Sequence, residues 1–142
     1  RLGPDPLRED SDPERAWERI TKSRSPIGTM LLNQEVIAGV GNIYRAEILY
    51  LMQIDPRKPG KELAKEQFEE LWKTLQSLLK IGVRYNKILI ADPNEIGKPR
   101  SRMTRQESLL VYKKKHCMRC RHRIRSWQLG ARTVYACLEC QT

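Results

Sequence analysis

Apolar residues recur three and four apart through residues 62–84, at Leu63, Phe68, Leu71, Trp72, Leu75, Leu78, Leu79 and Val83. That spacing lines one side of a helix and predicts an amphipathic α-helix whose apolar stripe faces a core. A shorter helical pattern runs from Glu14 to Lys22, opened by Asp12 as cap and Pro13 at the first helical position. Two more helical patterns lie within residues 27–50 and meet at Gly39-Val40-Gly41. Gly39 suits the left-handed conformation that ends a helix, and Asn42 suits the cap of the next one. The apolar face of that next helix includes Ile43, Ala46, Leu49 and Tyr50. In residues 126–135 apolar and polar side chains alternate until Gly130 interrupts them, which predicts two short strands and a turn. Residues 1–13, dense in Pro and Asp, read as a linker, and residues 91–106, rich in Pro, Gly, Arg and Ser, as a long loop. The expected fold is mainly α: a linker (1–13), a helical domain (14–106) and a small β-hairpin unit (107–142).

A chain of 142 residues, 39% hydrophobic and 31% charged, supports one ordinary domain or two small ones with a modest core. It has no run of 18 apolar residues to span a membrane, and no apolar stretch near its start reads as a signal peptide. The formal charge of +10 is unevenly placed. Residues 1–97 hold 15 basic and 15 acidic side chains, whereas residues 98–142 hold 12 basic and 2 acidic. A cationic block of this kind points to a polyanion, nucleic acid first. A solvated basic tail has the same charge, so charge alone leaves both readings open.

All four cysteines lie in that block, as Cys117-x-x-Cys120, sixteen intervening residues, then Cys137-x-x-Cys140. Each pair offers two thiolates from one tight turn, and the stretch between them makes the hairpin. This is the spacing of a four-thiolate zinc ribbon holding one structural Zn2+. Two disulfides would suit a smaller, secreted chain, and a redox pair needs a single C-x-x-C. His116 and His122 flank the first pair, but four cysteines already complete a tetrahedral site.

The Gly39-Val40-Gly41-Asn42 corner carries the second piece of chemistry. Glycines here allow close approach of a phosphate to the free N–H groups and positive dipole end of the following helix. The Asn42 amide would add a side-chain donor. A tight helix–helix corner that uses glycine only for packing is the alternative.

The segment from Leu32-Asn33-Gln34 through Ala38-Gly39-Val40-Gly41-Asn42-Ile43-Tyr44-Arg45-Ala46-Glu47-Ile48-Leu49 resembles the helix–two-turn–helix of the formamidopyrimidine-DNA glycosylase/endonuclease VIII (Fpg/Nei) family. Val111-Tyr112, the two cysteine pairs, Gly130-Ala131-Arg132-Thr133-Val134-Tyr135 and Gln141 resemble its zinc finger, and Leu2-Gly3-Pro4-Asp5-Pro6-Leu7 is similar to its interdomain linker. Ser25-Pro26-Ile27-Gly28 and Leu31-Leu32-Asn33-Gln34 lean toward the endonuclease VIII-like branch. The resemblance covers essentially the whole chain. It implies binding of double-stranded DNA around an extruded oxidised base or abasic site, in a monomer, in the bacterial cytoplasm at the nucleoid.

By the same resemblance, Asn42 with Gly39 and Gly41 holds the DNA backbone beside the lesion, and Arg132 grips the flanking phosphates. The family also gives that arginine a catalytic role as proton donor in δ-elimination. A guanidinium is a poor acid, and a bidentate phosphate clamp uses its shape better. Arg119, Arg121, Arg123 and Arg125 are candidate phosphate neighbours by position, with plain solvation the alternative reading for each. The family nucleophile is an N-terminal proline followed by glutamate on a separate β-sandwich domain, and its secondary amine forms an iminium with the sugar. This chain begins Arg1-Leu2-Gly3, and no residue in it matches the nucleophile. The expectation is therefore the DNA-binding C-terminal half of a bifunctional glycosylase/AP lyase, inactive by itself. The rival readings are a non-enzymatic zinc-dependent nucleic-acid-binding module and a helix–hairpin–helix architectural protein.

Overall fold

The long amphipathic pattern forms the central helix. In the computed structural model, which describes residues 1–142, helix α4 spans Lys65–Tyr85 and buries Phe68, Leu71, Trp72, Leu75, Leu78 and Leu79. It starts at Lys65 because Gly60–Glu62 form a separate 3-10 turn, and Leu63 reaches the core from the extended residue that follows. Val83 misses the core and is 68% exposed. Gly82 takes the inward position instead, packed so closely on the Tyr44 hydroxyl that a Cβ has no room. One residue further along a helix points about 100° away, toward solvent. Asn86 in the left-handed conformation then ends the helix.

Helix α1, Pro13–Thr21, is capped as expected: the Asp12 carboxylate accepts the Glu14 N–H at 3.0 Å. Its Ala16 and Ile20 enter the core, and Trp17 packs on Phe68 with ring centroids 5.5 Å apart.

The region of residues 27–51 departs from the expected pair of abutting helices. Helix α2 covers only Ile27–Leu32, and helix α3 runs Asn42–Leu51. Gly39 therefore does not end the first helix. Two turns fill the gap, because polar side chains satisfy the backbone better there than a longer helix would. Asn33 Oδ1 accepts the Glu35 N–H at 2.9 Å, Gln34 Oε1 accepts the Gly39 N–H at 2.9 Å, and Gln34 Nε2 donates to the Val40 carbonyl at 3.2 Å. Gly39 closes this double turn with φ +89°. Asn42 is not a cap either: Gly41 occupies the cap position, and Asn42 is the first helical residue, its side chain turned inward.

Residues 91–106 also hold more structure than a loop. Asp92 caps helix α5, Pro93–Ile96, a 3-10 turn covers Arg100–Arg102, and Thr104 with Glu107 forms a reciprocal cap on helix α6, Arg105–Ser108. Asp-Pro and Thr-x-x-Glu are helix-start signals that act even in a stretch rich in breakers.

Strands β1, Arg125–Leu129, and β2, Arg132–Ala136, pair antiparallel with Leu129 opposite Arg132. Gly130, at φ +69°, makes the two-residue turn between them. Val134 and Ala136 are buried, and Cys117, Ile124 and Cys137 belong to the same apolar cluster as the helices. The ribbon is joined to α3 by a buried carboxylate. Glu47 accepts the N–H groups of Leu110, Val111 and Tyr112 at 2.7, 3.0 and 2.8 Å. Burial raises the Glu47 carboxyl above its ordinary pKa, and these three amides pull the other way.

Replacing Glu47 with Ala orphans three backbone donors at once. Each buried, unpaired donor costs about 1–3 kcal/mol, so Glu47→Ala is expected to lose at least about 3 kcal/mol of stability in urea unfolding. A loss under about 1 kcal/mol would contradict the clamp.

Candidate nucleic-acid interface and metal centre

The start of α3, the double turn and the hairpin tip enclose an open groove of about 500 Å³. Its lining includes Gln34, Gly41, Asn42, Gly130 and Arg132, and no carboxylate. Gly41 faces this opening: a Cβ there would meet nothing within 4 Å. The N–H groups of Gly41, Asn42 and Ile43 have no partner within the chain, as expected at a helix start. Arg132, the first residue of β2, is exposed at the far wall. Gly41 and Asn42 thus meet Arg132, distant in sequence, at one groove. Gly39 does not line it. It lies behind the turn, where a Cβ would stand 3.6 Å from the Asp5 carboxylate.

The structure adds a residue that motif reading passed over. Asn42 is only 8% exposed. Its Nδ2 donates to the Thr133 carbonyl at 2.9 Å, which ties α3 to β2, and its Oδ1 accepts from Arg45 Nη2 at 2.6 Å. Arg45 is fully buried, and its Nη1 donates to the Gly28 carbonyl at 2.8 Å. Burial, reinforced by the charge of Arg132, pushes the Arg45 guanidinium down to about 10, so it stays protonated at neutral pH. The signal was present in the periodicity: Asn42, Arg45, Ala46 and Leu49 occupy one stripe of α3, so an arginine sits where an apolar residue belongs.

The four cysteines converge. They are free thiols whose Sγ atoms all lie within 4.8 Å of one another, with Cys117–Cys140 at 3.8 Å and Cys120–Cys137 at 3.4 Å. A tetrahedron of zinc–thiolate bonds about 2.3 Å long has edges of about 3.8 Å, so the cluster fits one structural zinc. Neither neighbouring histidine joins it: His116 pairs with Arg123 in an isolated bridge, and His122 lies 3.8 Å from Glu139.

The cluster is braced from the helical side. The Tyr50 hydroxyl lies 3.0 Å from Cys117 Sγ, and the Arg119 N–H donates to the same sulfur at 3.4 Å. Burial opposes charge on Cys117, but the Tyr50 hydroxyl and the backbone N–H groups of Cys120 and Arg119 outweigh it and hold the thiol down at about 6. Gln141 supports the second cysteine pair, accepting the Cys137 N–H at 2.7 Å and donating to the Ile54 carbonyl at 2.9 Å. The Arg119 guanidinium is stacked 5.1 Å from the Tyr50 ring centroid, whereas Arg121, Arg123 and Arg125 are exposed.

The profile described as the formamidopyrimidine-DNA glycosylase H2TH domain matches residues 2–93. The chain belongs to the Fpg/Nei family. It comprises the helix–two-turn–helix and zinc-finger part of that family. It is 46% identical over 145 residues to Endonuclease 8 1 of Mycobacterium tuberculosis, covering 100% of this chain and 54% of that protein. Identity to the formamidopyrimidine-DNA glycosylase of Chloroflexus aurantiacus is 36% over 141 residues, covering 98% and 50%. Among solved structures, a Lactococcus lactis Fpg bound to abasic-site DNA superposes with a TM-score of 0.80 at 31% identity, covering 99% of this chain and 51% of that one. The same protein in complex with Fapy-dG DNA gives 0.79 at 30%, with 99% and 51% covered. The chain spans about half the length of these relatives.

Because the Tyr50 hydroxyl supports a ligand sulfur without being a ligand, Tyr50→Phe is expected to leave the fold intact while weakening zinc retention about 10-fold or more. Competition with a chromophoric chelator measures this, and unchanged retention would show that the hydroxyl merely fills space.

Proposed function

We propose that this chain is the DNA-binding half of a bifunctional base-excision-repair glycosylase/AP lyase, acting as a monomer on duplex DNA that carries an oxidised base or an abasic site. The carrying observation is the groove where free helix N–H groups and Arg132 converge with no carboxylate among them, joined beneath by the Asn42 carboxamide, which ties α3 to β2. Such a set of donors suits one phosphodiester approached from two elements. Gly41 admits the phosphate close to the helix start, and Arg132 clamps it from the hairpin with a geometry that a planar guanidinium supplies well. The left-handed Gly39 serves by shaping the turn behind Gly41. The DNA partner places the site of action at the bacterial nucleoid, in the cytoplasm.

Cys117, Cys120, Cys137 and Cys140 hold one structural zinc, which sets the hairpin and hence Arg132 against α3. The metal supplies no chemistry to the reaction in this reading. Base removal and strand cleavage belong to a proline nucleophile, whose free secondary amine forms the covalent iminium. That nucleophile lies on a separate domain in the family, and no residue of the helices or the ribbon matches it. By itself the chain is expected to bind DNA without cutting it.

Three experiments test this function. Elemental analysis of protein purified without chelator is expected to find one zinc per chain, and intact disulfides without zinc would exclude the site. In DNA binding, Arg132→Ala is expected to lose a charge-assisted contact worth about 1.5–3 kcal/mol and Asn42→Ala roughly half of that. Arg132→Ala should also flatten the dependence of log K on log salt by roughly one unit, with little change for Asn42→Ala. Equal losses from Arg121→Ala, Arg125→Ala and Arg132→Ala, with none from Asn42→Ala, would instead identify a generic basic tail. Borohydride trapping on abasic DNA is expected to yield no adduct with this chain.

A further inference from the structure

Arg45 is fully buried, yet no carboxylate faces it. Its two nitrogen contacts end on neutral oxygens, the Gly28 carbonyl and Asn42 Oδ1, and its Nε is buried without a partner. The acid nearest in sequence, Glu47, is committed to the amides of residues 110–112. The charged side chain that bears on Arg45 is another cation, Arg132. A buried cation is expensive, and exchanging buried ionic groups for apolar ones of similar volume is often neutral or stabilising. Packing alone therefore does not account for an arginine here.

Its contacts give a reason. A guanidinium can only donate and a backbone carbonyl can only accept. Arg45 on one side and the Thr133 carbonyl on the other therefore permit one orientation of the Asn42 carboxamide, oxygen toward Arg45 and NH2 toward β2. Thr133 adjoins Arg132 on β2. A run of hydrogen bonds, Gly28 O to Arg45 to Asn42 to Thr133 O, thus joins α2, α3 and the hairpin behind the groove.

We propose that Arg45 is a positioning residue for phosphate binding: it fixes the Asn42 amide against β2, which sets α3 and the Arg132 strand on either side of the groove, and it holds behind the groove a buried positive charge that a bound DNA phosphate compensates. This rests on the reading that the groove takes a DNA phosphate. Arg45 itself does not touch the DNA. The uncompensated charge is a cost in the free protein that the complex relieves, so stability and affinity should respond to its removal in opposite senses.

The test uses the zinc-loaded chain and a duplex oligonucleotide with an abasic-site analogue. Arg45→Met keeps the length of the side chain and removes charge and donors. It is expected to melt at the wild-type temperature or above while binding DNA about tenfold more weakly. Because Arg45 acts largely through Asn42, the double variant Arg45→Met/Asn42→Ala should bind within about twofold of Arg45→Met, instead of showing the product of the two losses. In nitrogen-edited NMR spectra the Asn42 side-chain NH2 pair should shift and broaden in Arg45→Met. Arg45→Lys keeps the charge but cannot reach both oxygens with one ammonium, and should recover only part of the affinity.

If Arg45→Met binds like wild type while Asn42→Ala and Arg132→Ala bind weakly, the positioning role is wrong and the phosphate groove stands. If neither Asn42→Ala nor Arg132→Ala weakens binding, the groove reading itself fails. If Arg45→Met does not fold, Arg45→Lys decides: wild-type affinity in that variant makes Arg45 a purely structural residue, and a partial loss with a displaced Asn42 signal supports the positioning role.

Discussion

The carboxylate of Glu47 takes three successive backbone N–H groups, and the placement of everything after residue 110 depends on that contact. Leu110, Val111 and Tyr112 lie where the chain leaves the helical part and enters the ribbon. An irregular segment that is buried must satisfy its amides somewhere, and here one side chain on α3 satisfies three. The direction of the chain at that point sets where the first cysteine pair lies, and so where the hairpin projects. Arg132 can therefore stand across the groove from the start of α3, although Thr133 beside it lies 91 positions from Asn42 in sequence.

The zinc cluster and the helices reinforce the same geometry. Tyr50 reaches from α3 to Cys117, and Gln141 reaches from the second cysteine pair to Ile54, just past the end of α3. The four-cysteine cluster is thus tied to α3 through buried hydrogen bonds, and the ribbon's apolar residues join the helical core. A four-thiolate site fixes its own loop whatever it is attached to. The contacts from Tyr50, Gln141 and Glu47 turn that local rigidity into a fixed orientation relative to the groove at the start of α3.

Charge is arranged with similar economy. The first 97 residues are neutral overall, so the helices up to α5 add no net charge to the attraction of a polyanion. What it contributes is directed: free N–H groups at one helix start, an amide held in one orientation, and Arg45 beneath them. The ribbon contributes exposed cations, of which Arg132 lines the groove while Arg119 is stacked on Tyr50. A cationic surface gives attraction that falls with salt, whereas oriented neutral donors give position.

Much of this was legible in the chain itself. The 3.6-residue period of residues 62–84, the Asp12-Pro13 start, the alternation around Gly130 and the doubled C-x-x-C spacing are local signals, and each describes an element that folds much as its own residues dictate. Local signals failed where side chains compete for backbone groups. Gln34 and Asn33 close turns that shorten α2, Thr104 and Asp92 start short helices inside an apparent loop, and Gly82 displaces Val83 from the core. The sequence by itself determined the elements, the thiolate cluster and the residue types available for a phosphate. Only the tertiary structure decided that Asn42 faces inward onto Thr133, that Gly39 stands behind the groove, and that Arg45 carries a buried charge without an acid. Those outcomes depend on hydrogen bonds between residues far apart in sequence, and no periodicity along the chain encodes which distant carbonyl or amide a buried side chain will meet.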